Sequence, residues 1–310
     1  ENMFGNAMTL SRRKLLSIGT AGFAVSLLPH NPLMAQTEIG AFTLTSLSDG
    51  SLTLPSSMVL DAIPEGERAG AITEFGIGDV MTPPCNVTLL QTGARNILFD
   101  VGAGSEFMSS AGFLLDALDD VGLSPDDITD IAFTHAHPDH IWGLVDDFDD
   151  LLFPNANYLI GQQEWDYWTN PETVDPIDTG RTTFAVGAAR RLARVEDNIA
   201  FFNDGEEILP GVAARATFGH TPGHMAFEVR QGTNAMMILG DCIGNDHIAL
   251  AHPTWNTGSD QNMDMGAATR ASLLDQITHD QIPVLGFHMK GNGVGRIERA
   301  GDGYRFIQDI

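Results

Sequence analysis

Four metal-capable side chains fall within six residues in Thr134-His135-Ala136-His137-Pro138-Asp139-His140, directly after the apolar run Ile128 to Phe133. A short apolar run bounded by turn residues reads as a buried strand. A tight loop leaving it aims two imidazoles at one ion and a carboxylate plus an imidazole at a neighbour. A lone histidine is ordinarily a hydrogen-bonded core or surface residue, but four candidate ligands at this spacing point to metal.

Three later residues complete a ligand set: His220 in Gly219-His220-Thr221-Pro222-Gly223-His224, Asp241 in Gly240-Asp241-Cys242, and His288 in Gly286-Phe287-His288. Each follows an apolar strand, where a loop presents it at a shared sheet edge. Five histidines and two carboxylates suffice for two ions with one bridging ligand. Asp100, in Phe99-Asp100-Val101-Gly102, and His224 belong to loops expected at the same edge, where either orients a ligand imidazole through its distal N–H.

From residue 40 onward β-rich runs alternate with helical ones. Ala41 to Leu47 and Ser51 to Leu54 flank an Asp49-Gly50 turn, and Asn86 to Gln91 and Asn96 to Val101 flank Thr92-Gly93, so two hairpins are expected. Ser105 starts a helix whose Phe107, Ala111, Leu114, Leu115, Leu118 and Val121 share a face. Ser124-Pro125-Asp126-Asp127 opens another. Helices are read over Gln162 to Trp168, Thr182 to Arg194 and Gly266 to Ile277, and strands over Ala213 to Phe218, Ala226 to Arg230, Met236 to Leu239, Pro283 to Gly286 and Gly295 to Arg299. The pattern is mixed α/β, two β-rich halves with helices between. The loop from His247 to Asp264, with His252 and Trp255, is a candidate rim over the site.

The 310 residues are 43% hydrophobic, enough for one large core. A net charge of -25, from 41 acidic and 16 basic residues, repels phosphate backbones and anionic membranes. Nucleic acid is therefore excluded as a partner. Cys85 and Cys242 are the two cysteines, too few for a disulfide framework, and both read as buried thiols; Cys242 adjoins a candidate ligand. Ser11-Arg12-Arg13-Lys14-Leu15-Leu16, an apolar run from Ile18 to Leu28, Pro29 and Ala35 resemble a twin-arginine export signal. The expectation is a signal over residues 1 to 35, a domain over 36 to 310, a periplasmic or secreted mature protein and no permanent membrane anchor.

The ligand pattern resembles that of the metallo-β-lactamase superfamily, over residues 40 to 310. The resemblance implies the four-layer αββα sandwich of that fold. It places one ion on His135, His137 and His220, the other on Asp139, His140 and His288, with Asp241 bridging. Phe-Pro-Asn-Ala at 153 to 156, His-Thr-Pro-Gly-His at 220 to 224 and Gly-Tyr-Arg-Phe at 303 to 306 resemble the methyl parathion hydrolase branch, which contains exported dinuclear hydrolases and lactonases. That likeness assigns Phe107, Trp168 and Phe184 to a leaving-group pocket, with ordinary core packing as the alternative. Trp142-Gly143 stands where the family usually has two glycines; the indole either narrows the pocket or packs under the loop. Asp241 argues against a true β-lactamase, which lacks this bridging carboxylate.

The expected activity is hydrolysis of a small neutral ester, whether phosphotriester, aryl ester or lactone, by a hydroxide bridging two divalent ions. Zinc is the default metal, with manganese, cobalt or iron compatible. Asp139 and Asp241 are the catalytic carboxylates, Asp139 also moving a proton. Acyl-homoserine lactone opening is the chief rival substrate reading. An iron-dependent oxidoreductase is disfavoured by Ala136, where flavodiiron relatives carry a carboxylate. A non-catalytic scaffold leaves seven aligned ligands without a purpose, and a homodimer is compatible with the chain.

Overall fold

The computed structural model describes residues 35–173 and 181–308 with their side chains. Apart from Ala35, the expected export signal lies outside the described residues. Among those described, no helix is long and apolar enough to cross a membrane.

In chain order, β1 (Gln36–Ile39) and β2 (Phe42–Ser51) open a sheet, while β3 (Leu54–Pro55) and β4 (Val80–Met81) pair only with each other. β5 (Pro84–Gln91), β6 (Asn96–Phe99), β7 (Asp130–Phe133), β8 (Asn157–Gly161) and β9 (Ile199–Phe202) complete the first sheet in the order β1-β2-β5-β6-β7-β8-β9. Its pairs are antiparallel as far as β6 and parallel from β6 to β9. β10 (Glu207–Leu209), β11 (Val212–Ala216), β12 (Met225–Gln231), β13 (Asn234–Ile238), β14 (Val284–Leu285), β15 (Val294–Ala300) and β16 (Gly303–Gln308) form the second sheet, side by side in chain order. Only β13 and β14 are parallel there.

The period-2 alternation of side chains decides how these sheets stack. Leu90, Ile97, Phe99 and Ala132 of the first sheet share one core with Met225, Phe227, Val229, Met236 and Ile238 of the second. The rings of Phe99 and Phe227 meet across it at 5.0 Å, each burial contributing about 1.5–3 kcal/mol. The alternate residues face outward. Val87, Leu89, Leu98, Ile131 and Phe133 pack under helices on one side, and Ala226, Met237 and Val284 under helices on the other. The result is four layers, αββα.

The helices are α1 (Ser57–Leu60), α2 (Arg68–Phe75), α3 (Gly104–Phe107), α4 (Leu114–Asp120), α5 (Pro138–Ile141), α6 (Gln162–Thr169), α7 (Thr182–Leu192), α8 (Ile248–Ala251) and α9 (Met263–Asp280). Asn262 caps α9 by accepting from Met265 N–H at 3.1 Å. Its buried residues Gly266, Ala267, Arg270, Leu273, Leu274 and Ile277 recur at helical spacing.

Three expectations are corrected. Asp49-Gly50 is not a hairpin turn: β2 runs through it to Ser51, and the hairpin lies at Gly40-Ala41 between β1 and β2. The Asp49 carboxylate instead accepts N–H groups of Ala103, Gly112 and Leu114 at 2.8, 3.2 and 2.8 Å, pulling a distant loop onto a bulge in β2. The helix expected from Ser105 to Val121 is two helices, broken at Gly112 (φ 94°), whose N–H is taken by Asp49. Ser124 to Asp127 forms a single 3₁₀ turn, with Ser124 N–H and hydroxyl on the Asp127 carboxylate at 2.8 and 2.7 Å.

Candidate metal centre

Strand ends place the candidate ligands. His135 follows β7, His220 sits in the β11–β12 loop, Asp241 follows β13 and His288 follows β14, so both sheets deliver them to one edge of the sandwich. Pro138 opens α5 at a position needing no N–H donor, and its single turn swings Asp139 and His140 away from His135 and His137.

The side chains separate into two groups, His135, His137 and His220, and Asp139, His140, Asp241 and His288, all buried. His137 Nδ1 lies 3.0 Å from His135 Nε2 and 2.9 Å from His220 Nε2. In the second group His288 Nε2 is 3.2 Å from Asp139 Oδ2 and 3.3 Å from Asp241 Oδ2, and His140 Nε2 is 3.2 Å from Asp241 Oδ1. Asp241 Oδ2 also stands 3.4 Å from His220 Nε2, so its carboxylate touches both groups.

The carboxylate–imidazole contacts of 3.2–3.4 Å are long for charge-assisted hydrogen bonds. Asp139 Oδ2, His140 Nε2 and Asp241 Oδ1 are buried without a hydrogen-bond partner, a cost of about 1–3 kcal/mol each if nothing else satisfies them. Ligand bonds of about 2.0–2.2 Å to a tetrahedral ion put ligand atoms about 3.3–3.6 Å apart, close to the 3.2–3.4 Å carboxylate–imidazole spacings and somewhat wider than the 2.9–3.0 Å contacts among the three histidines. Burial, then the neighbouring imidazoles, push His135 and His137 well below the ordinary histidine range. Against burial, Asp241 and Asp139 hold His140 far above that range, and Asp241 with Asp139 raises His288 to about 10. The carboxylates thus demand positive charge, which bound cations supply in place of those protons.

The surroundings fix each ring. His140 Nδ1 donates to Asp100 Oδ2 at 2.8 Å, and the same carboxylate takes Thr134 N–H and hydroxyl at 2.8 and 2.7 Å. Asp100 itself adopts φ 67°. His288 Nδ1 donates to Pro84 O at 2.8 Å. His224 packs its ring 4.9 Å from that of His135 but makes no hydrogen bond to a ligand imidazole: its Nδ1 pairs with the Thr217 hydroxyl at 2.7 Å and its Nε2 accepts Asp241 N–H at 3.0 Å, so it holds that residue's backbone. Three participants are absent from the sequence reading. Glu164 accepts from Ala136 N–H and Trp168 Nε1–H on one oxygen and from Thr221 hydroxyl and Gly223 N–H on the other, joining the two histidine loops. Asp260 and Arg270 stand behind His220.

A cavity opens on His137, Asp139, His220, Asp241 and His288, and its wall includes Leu52, Leu54, Met58, Met81, Phe107, Phe184 and Arg181. The rim expected over 247–264 is partly helical, α8 taking Ile248–Ala251 and α9 starting at Met263, and Thr257 and Ser259 of the segment between them line the cavity too. Trp168 does not reach this wall; it is a core residue, edge-on to His137 at 5.7 Å with its N–H on Glu164. Trp142 packs beneath α7, under the Arg191 guanidinium at 4.3 Å and against Phe107. Cys85 and Cys242 are free and buried, and the Cys242 thiol donates to Leu239 O at 3.1 Å.

Three solved structures share this architecture. AidC, described as a dizinc quorum-quenching lactonase in complex with a homoserine product, is 26% identical, with a TM-score of 0.82 over 89% of this chain and 97% of its own. The hydrolase AbOPH is 23% identical, with a TM-score of 0.82 over 89% and 97%. A probable metal-dependent hydrolase from Staphylococcus aureus is 19% identical, with a TM-score of 0.70 over 88% and 100%. The last two likenesses concern the fold alone. The profile of the Metallo-beta-lactamase superfamily matches residues 81–278, from β4 through nearly all of α9, and the chain belongs to that superfamily.

Proposed function

We propose that this chain is a dinuclear metal-dependent hydrolase of small neutral esters, with lactones, aryl esters and phosphotriesters as its substrate classes. The observation that carries this reading is Asp241, whose carboxylate lies between the two groups of buried ligands, Oδ2 near both His220 and His288 and Oδ1 near His140, at the floor of an apolar cavity. His135, His137 and His220 would hold one ion, Asp139, His140 and His288 the other, and Asp241 both. Bound there, divalent ions acidify water toward neutrality and withdraw charge from a carbonyl or phosphoryl oxygen.

The chain's own residues supply the rest. Phe107, Phe184, Leu52 and Met58 keep bulk water from the reacting bond and receive an apolar acyl or aryl group. Asp139 lines the cavity with an oxygen 3.2 Å from His288, placed to take a proton from the nucleophile and return it to the leaving oxygen. Arg181 also lines the cavity, held to Gly258 O at 2.7 Å, and brings positive charge to its lining. The likeness to AidC favours lactones within the ester class. Residues 1 to 35 would direct export by the twin-arginine route, which a reporter fused behind them tests by its delivery to the periplasm.

The test of substrate class is kcat/KM of the metal-loaded protein against an acyl-homoserine lactone, an aryl ester and an aryl phosphotriester. Turnover of at least one, strongest for the lactone, is expected. Fully loaded protein inert toward all three contradicts the ester reading.

A further inference from the structure

The segment between α8 and α9 is fastened to the turn that carries His220, and its Asp260 side chain reaches the His220 ring itself. Asp260 and Arg270 are both almost completely buried, 2% and 1% exposed. Asp260 Oδ1 lies 3.2 Å from His220 Nδ1, and its other oxygen 3.3 Å from Arg270 Nη1. Arg270, on α9, also donates through Nε to Pro253 O at 3.0 Å and through Nη2 to Trp255 O at 2.6 Å. A Cβ at Gly266 would stand 2.4 Å from Asp260 Oδ2, so α9 meets this carboxylate where it carries no side chain. The loop is laced to the His220 turn by Gln261 N–H to His220 O at 3.0 Å and Asn262 N–H to Gly219 O at 2.9 Å. Thr257 and Ser259, between these anchors, face the cavity.

An isolated buried carboxylate or guanidinium is strongly unfavourable, and each here is stabilised only by the other's charge and the groups both hold. With Nδ1–H donated to Asp260, His220 keeps the Nε2 lone pair turned toward His137 and Asp241. We propose that Asp260, held by Arg270, is a positioning residue that fixes the His220 tautomer and ties the substrate-facing loop to the ion of the three-histidine group. Ion affinity and the shape of the cavity wall are then coupled through one carboxylate. The inference rests on the metal-centre reading above.

The experiment uses the metal-loaded full chain. Zinc retention is titrated with a competing chelator, the visible spectrum is recorded after cobalt loading, and kcat and KM are measured separately. Asp260→Asn is expected to weaken one of the two ions about 10–100-fold, to shift the cobalt spectrum and to raise KM. Arg270→Lys keeps the charge but loses the three-way grip, so KM rises while both ions stay. Glu228→Gln, a buried carboxylate of β12 paired with Arg215 and Arg230, is the control: it lowers stability and leaves ions, spectrum and KM unchanged. A folded Asp260→Asn protein that holds both ions as the wild type does, with an unshifted spectrum, overturns the inference alone. Should Asp260→Asn not fold, a wild-type KM in Arg270→Lys overturns it. Wild-type protein that takes up fewer than two ions overturns the metal-centre reading and this inference with it.

Discussion

Asp100→Asn exchanges one oxygen for an NH2 group in a place where every neighbour is arranged to donate. Asp100 Oδ2 receives both His140 Nδ1–H and the Thr134 hydroxyl, and Oδ1 receives Thr134 N–H. Asp100 and His140 are 1% and 0% exposed, so no water relieves a mismatch. With NH2 in the Oδ1 position, it faces the backbone N–H of Thr134, at a cost of about 1–3 kcal/mol for a buried donor left unsatisfied. With NH2 in the Oδ2 position, His140 escapes by moving its proton from Nδ1 to Nε2, and the hydroxyl rotates to accept. That second arrangement satisfies the local bonds but takes the Nε2 lone pair away from the site. The predicted outcome is an intact fold and selective loss of one ion, by about 10–100-fold in affinity, or about 1.4–2.7 kcal/mol. Chelator titration of metal-loaded protein measures it, with His288→Ala and His137→Ala as references for the two sites. An Asp100→Asn protein that binds both ions with wild-type affinity, or that first loses the ion lost by His137→Ala, refutes the tautomer argument.

Burial raises Asp49 to about 6 despite its three backbone N–H partners, so the folded chain holds that proton across a range where the unfolded chain has released it. Its stabilising contribution is therefore full below about pH 4 and falls by about 3 kcal/mol as pH rises through 6. Urea unfolding at pH 4.5 and 6.5 should show about 2 kcal/mol of that fall in wild type relative to Asp49→Asn, and equal changes in both contradict it. Glu164→Gln sets an NH2 group against two of four buried donors, and is predicted to cost about 2–5 kcal/mol by denaturant titration. Gly187→Ala puts a Cβ 2.5 Å from the Trp142 ring. The shift of α7 and its Phe184 should raise KM and cost about 1–3 kcal/mol while metal content stays unchanged.

The parts of the site that lie close together in sequence were the legible ones. His135 to His140 are contiguous, and the apolar runs before His220, Asp241 and His288 mark strands by composition alone. β12 and β13 were equally readable as short apolar runs, because both their faces are buried. Asp49-Gly50 misled for the opposite reason. The dipeptide carries a hairpin signature, but its side chain is claimed by N–H groups 54 to 65 positions away, and only the folded chain brings them there. The same long-range bond divides the helix expected from Ser105. Asp260, Arg270 and Glu164 carry no local signal, since one acid among 41 is marked out only by the histidine or amides it meets. Trp168 shows the limit of a family likeness, which placed it beside the site without distinguishing a cavity wall from the core behind it.

The central claim is that seven buried side chains in two groups hold two ions through a shared carboxylate. Elemental analysis of protein purified from Gln36 onward, reconstituted with zinc and freed of excess, tests it most directly when run beside His137→Ala and Asp241→Asn. The account predicts about two ions per chain in wild type and about one in His137→Ala. Asp241→Asn, which touches both groups, should weaken both ions together. Fewer than one ion in the reconstituted wild type, or two in Asp241→Asn held as tightly as before, contradicts it.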